Sequence, residues 1–108
     1  MDEWKKIHFS NISQIEKCVG EFNIWELNIC PYAKFKIKIF ENSDGNFTGY
    51  SNLLVIDEIG EYYCAVGYGN TLEIALEDTI QYFFKMTSRK PPEEWTEKDF
   101  ICSNSFDF

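Results

Sequence analysis

Between Lys34 and Phe40 the chain alternates without a break, Lys34, Lys36 and Lys38 against Phe35, Ile37 and Ile39. Successive side chains of an extended strand point to opposite faces, so this run buries one side and wets the other. A helix would scatter the same residues around its circumference. The run therefore predicts a sheet with one covered face, and its neighbours must supply the pairing strands. ENSDGNF follows, and its Asp44-Gly45 tolerates the positive φ of a tight hairpin turn. FTGYSNLLVI is the next strand. Gly49 inside it marks a bulge or a close backbone approach, and the two-sided apolar LLVI marks a well-covered central position. DEIGE is another turn, and EYYCAVGYG another strand.

Flanking segments complete the expected fold. In NIWELNI, Trp25, Leu27 and Ile29 alternate with Glu26 and Asn28, and Pro31 cannot extend a central ladder, so the first strand is expected to end near Cys30. Ahead of it, Ile12, Ile15, Cys18, Val19 and Phe22 fall at helical spacing, with Asn11 and Gln14, or Ser13 and Glu16, as a capping box. After the last strand the period returns to 3.6, with Leu72, Ala75, Leu76, Thr79, Ile80, Phe83 and Met86 on one face. Asn70 is the expected cap, Glu73 stands near the positive end of the dipole, and Pro91 and Pro92 stop the helix. The predicted fold is α+β in the order α-β-β-β-β-α: a four-stranded antiparallel meander with an N-terminal and a longer C-terminal helix. Residues 1–92 form one domain, and 93–108 an acidic, aromatic tail docked on it.

With 44% hydrophobic and 18% aromatic residues among 108, the chain has enough apolar surface for one core. No run of about 18 apolar residues exists, and MDEWKKIHFS lacks an apolar secretory region, so a cytoplasmic protein without a membrane span is expected. Cys18, Cys30, Cys64 and Cys102 contain no CxxC pair, which argues against a zinc site and for free thiols in a reducing compartment. The net charge is −8. That sign opposes phosphate backbones and anionic membranes and favours a basic partner. Half of the excess lies in residues 93–108, where Glu93, Glu94, Glu97, Asp99 and Asp107 face Lys98 alone.

Catalytic and cofactor parts are missing from the sequence. His8 is the single histidine, so histidine relays and multi-histidine metal sites lose their components. The glycines of VGYGN precede a helix but form neither GxGxxG nor GKS, and read as a strand-to-helix turn rather than a phosphate cradle. Asp57 with Glu58 and Glu77 with Asp78 lack a calcium-loop pattern and read as solvated carboxylates. No cofactor, metal or catalytic residue is therefore assigned. Lys34, Lys36 and Lys38 form a positive ridge that a nucleic acid could use, against the global charge. Trp95, Phe100, Ile101, Phe106 and Phe108 interleave with acids in the tail, as a docked segment with outward carboxylates would.

The stretch EYYCAVGYGNTLEIALEDTIQYF resembles the strand, glycine turn and TLEEAL-like helix at the end of HicB-type antitoxin domains. The helix and antiparallel-strand order is similar to double-stranded RNA-binding-like folds, although Glu73, Glu77 and Asp78 stand where that family has a basic helix start. Length, acidity and the WTEKDF and SFDF segments resemble small immunity proteins of bacterial toxin systems, which implies a cognate toxin held by a charged surface. The expectation is a non-catalytic, immunity-like inhibitor that blocks a basic protein such as a toxin nuclease. Its partner-binding residues are expected to be Asp57, Glu58, Glu61, Glu93, Glu94, Trp95, Glu97 and Asp99. The rival is a nucleic-acid-binding or antitoxin-like regulatory module.

Overall fold

In a computed structural model, which describes residues 2–103, five antiparallel strands form one sheet and a single α-helix covers one face of it. The strands are β1 (Glu16–Trp25), β2 (Lys34–Asn42), β3 (Phe47–Ile56), β4 (Tyr62–Gly69) and β5 (Phe100–Cys102), and the helix α1 is Leu72–Thr87. The first four pair in chain order, and β5 pairs with β3. Three short 3-10 turns, Glu3–Lys6, Pro92–Glu94 and Glu97–Asp99, complete the elements.

The expected N-terminal helix is absent, and the α-β-β-β-β-α layout is corrected accordingly. Of the residues assigned to that helix, Ile12 and Ile15 precede β1, while Cys18, Val19 and Phe22 lie in it; its alternating burial begins at Gly20, with Phe22 and Ile24 turned inward and Glu21, Asn23 and Trp25 outward. The β1–β2 register shifts between Cys18 and Gly20, so one extra residue interrupts the two-residue period. An interrupted alternation spaces apolar residues three and four apart, which imitates a helix. β1 also stops at Trp25 rather than near Cys30. The Glu26 carboxylate then accepts the N–H groups of Asn28, Ile29 and Cys30 at 2.8–3.1 Å and turns the chain away from the ladder.

The lysine run behaves as its alternation requires. Phe35, Ile37 and Ile39 are fully buried beneath the helix, while the lysines face the open side. Asn42 organises the following turn, accepting the N–H groups of Asp44 and Asn46 on its side chain, with Gly45 at φ +81°. β3 is long enough to serve two partners on one edge. Phe47–Ser51 pair with β2 and Leu53–Val55 with β5. Asn52 lies at the changeover, where its side chain accepts the Lys36 N–H and its carbonyl the Ser103 N–H, both at 2.7 Å.

Helix α1 lies on β3 and β4 along its predicted face, with Ala75, Thr79, Phe83 and Thr87 buried. Its cap is Thr71, whose hydroxyl accepts the Ile74 N–H at 3.1 Å, one residue beyond the expected Asn70. The close approach anticipated at Gly49 is met by the helix itself. A Cβ on Gly49 would overlap the Thr79 hydroxyl, and one on Gly67 would overlap the Thr79 backbone. Gly67 of the VGYGN motif is thus a packing notch for α1. Phe35 and Phe83 stack at 4.2 Å across the helix–sheet interface. Among the described residues no helix is long and apolar enough to cross a membrane.

Candidate functional site

The two acidic segments meet at one end of the molecule. The first is the β3–β4 turn. Asp57 holds its shape, accepting the Ile59 and Glu61 N–H groups on one carboxylate oxygen at 2.9 Å, and Gly60 supplies φ +91°. With its carboxylate turned back onto the loop, Asp57 projects Glu58, Ile59 and Glu61 outward, and Ile59 is 80% exposed.

The second segment folds back from the end of α1. Trp95, 8% exposed, donates its indole N–H to the carbonyls of Thr87, the last residue of α1, and of Lys90 in the turn beyond it, at 3.1 and 3.2 Å. Arg89 and Lys90 lie against its ring, at 5.3 and 4.4 Å from the centroid, and Phe100 packs beside it at 5.4 Å. Thr96 and Asp99 form a reciprocal capping box around the 3-10 turn Glu97–Asp99. The Asp99 carboxylate accepts the Thr96 N–H at 3.0 Å and the Lys90 ammonium at 3.1 Å. The Thr96 bond first, and then Lys90, hold the Asp99 carboxyl below its ordinary value, against an opposing effect of burial.

Three contacts tie the segments together. Tyr62 donates its hydroxyl to the Lys98 carbonyl at 2.7 Å, Arg89 donates to the Ile56 carbonyl at 2.8 Å, and Phe100 pairs with Val55. Residues 57–61 and 89–99 together hold seven carboxylates against three cations, which is half of the net charge of −8. The carboxylates of Glu58, Glu61, Glu93, Glu94 and Glu97 are exposed and make no ion pair among the described residues. Of the eight residues singled out in the sequence, these five present free charge, Asp57 and Asp99 brace the backbone, and Trp95 lies inside as the scaffold. Phe106, Asp107 and Phe108 lie outside the described residues.

Sequence reasoning missed a groove of about 490 Å³ beside the acidic turn, between the end of the β3–β4 hairpin and the outer side of α1. Val55, Ile59, Tyr63, Tyr82 and Met86 line it, with Lys85 on the helix wall. Tyr63 and Tyr82 are about half exposed, at 52% and 48%. The available signal was Tyr82, an aromatic residue off the apolar face of α1.

Cys30 is buried, and burial first, then Glu26, push its thiol up to about 12, while burial also raises Cys64. Such thiols are poor nucleophiles. All four cysteines are free, with Cys18 and Cys102 exposed. His8 is exposed on the segment before β1. Among the described residues no three His, Cys, Asp or Glu side chains cluster as metal ligands would. The lysine ridge is partly occupied. Lys36 pairs with Glu21 at 3.2 Å and Lys34 lies 5.0 Å from the centre of the Trp25 ring. No protein-family model, curated protein or solved structure matches this chain.

Proposed function

We propose that this chain is a non-catalytic binding protein of the cytoplasm, an immunity-like inhibitor whose acidic end covers a basic surface of another protein, such as a nuclease toxin. One observation carries the reading. Two acidic segments more than thirty residues apart are tied together at their flanks by the Tyr62–Lys98 bond and the Val55–Phe100 pairing, and five exposed carboxylates on them make no ion pair among the described residues. Carboxylates grouped this way attract a cationic partner over about a Debye length, which raises the encounter rate. Affinity then comes from the few apolar side chains that the encounter buries. The occupied lysine ridge weighs against the rival nucleic-acid reading, because contacts to phosphates would compete with Glu21 and Trp25.

The test begins with co-purification from the native lysate at low and high salt, which identifies the partner. Association is then measured for wild type and for a variant carrying Gln at Glu58, Glu61, Glu93, Glu94 and Glu97. Asp57 and Asp99 stay unchanged because they brace the backbone. The expected result is a fall in association rate of about tenfold or more at low salt, with a flatter salt dependence. Unchanged rate and salt dependence would exclude the acidic end as the binding surface.

A further inference from the structure

We infer that the groove between the β3–β4 hairpin and α1 takes an anchor from the basic partner: a large apolar side chain flanked on one side only by lysine or arginine. This inference rests on the reading of the acidic end as a binding surface, and it assigns the specificity of that surface to residues outside the acidic runs. The groove is open, about 490 Å³ in volume, and its apolar lining is left in water at Ile59, Tyr63 and Tyr82, which are 80%, 52% and 48% exposed. A space of that size accepts an aromatic or long aliphatic side chain. The two walls differ in charge. Asp57 and Glu58 stand on the turn side. On the helix side stand two cations, Arg89, whose guanidinium bonds the Ile56 carbonyl and lies on Trp95, and Lys85, which makes no ion pair among the described residues. A cation beside the anchor is therefore attracted at the turn, and a second cation on the far side would meet Lys85. Charge complementarity thus sets both the sign of the flanking residue and its restriction to one side.

The probes are a capped Lys-Lys-Phe-Ser peptide, its reverse Ser-Phe-Lys-Lys, tetralysine as the charge-only control and Asp-Asp-Phe-Ser as the opposite charge. Each is titrated at low salt into the full chain while backbone amide resonances are followed by NMR. One of the two phenylalanine–lysine peptides is expected to shift amides of residues 55–59, 63 and 82–86, and tetralysine only those of the acidic turns. Ile59→Ser and Tyr82→Ser change exposed side chains, so the fold is retained. Each is expected to weaken the phenylalanine peptide about tenfold, the worth of a largely buried apolar contact, and to leave tetralysine unaffected. Equal binding of tetralysine and the phenylalanine peptides, unmoved by either substitution, would overturn the groove while leaving the acidic end intact. An equally strong shift by the aspartate peptide would overturn the assigned charge. If no lysine peptide moved any amide in 57–61 or 93–99, the underlying reading would fall as well.

Discussion

Ser51 is a polar residue at 1% exposure in the middle of the sheet, and its hydroxyl explains how β3 and β4 stay joined across an irregularity. Their register shifts between Tyr50 and Leu54, so the Ala65 N–H has no regular ladder partner. The Ser51 hydroxyl accepts that N–H at 2.8 Å and donates to the Leu53 carbonyl at 2.9 Å. Ser51→Ala strands a buried donor, and urea unfolding is expected to register a loss of about 1–3 kcal/mol. Asp99 carries a pH dependence of definite sign. A carboxyl held below its unfolded value of 3.8 adds stability above that pH and loses it as pH falls through the folded value. Asp99→Asn should therefore flatten the fall of the urea midpoint below about pH 4, and an unchanged acid limb would refute the assignment. Neither role was legible in the sequence. Serine in a strand and aspartate in a tail are both ordinary surface residues until the pairing partner is known.

At the scale of elements, what the sequence made legible was periodicity with no interruption. The lysine run of β2, the strand Phe47–Ile56 and the inward face of α1 were read correctly because burial is uniform along each. β1 was misread because its bulge breaks the period, and β5 was missed because three residues carry no period at all. The glycines of β3 and β4 were half legible. Their need for space was visible, but the side chain that fills it was not. Thr79 occupies that space, which separates two substitutions that look alike. A Cβ at Gly67 meets the Thr79 backbone, so Gly67→Ala must move the helix and should cost roughly 3 kcal/mol or more in urea unfolding. A Cβ at Gly49 meets chiefly the Thr79 hydroxyl and the flexible end of Ile39. A Cβ at Gly67 also meets the Thr79 hydroxyl, but the Thr79 backbone stays in its way, so Thr79→Ala should recover a larger share of the loss caused by Gly49→Ala than of that caused by Gly67→Ala.

The whole molecule measures 49 × 27 × 21 Å, and its thinnest dimension matches one sheet plus one helix, about 10 Å for each layer. Its charge is unevenly distributed along this shape, because contacts distant in sequence join the flanks of the two acidic runs, Tyr62 to Lys98 and Val55 to Phe100. Like charges held close oppose folding at low ionic strength. The five-glutamine variant should accordingly show a higher urea midpoint than wild type in dilute buffer, with the gap closing near 1 M salt, where the Debye length is about 3 Å. A gap that persisted at high salt would point to altered packing instead. The acidic composition of this end was legible from the chain; its adjacency was not, since nothing in residues 57–61 or 93–99 encodes Tyr62 reaching Lys98. The pairing of β5 with β3 also sets an order of events. Val55 can form its hairpin with β4 as soon as both are synthesised, but its other edge waits for Phe100. A growing chain or fragment that ends at Asp99 carries both acidic runs and yet lacks the β5 pairing, one of the three contacts that join them, so the surface is complete only after β5 has been translated and has docked.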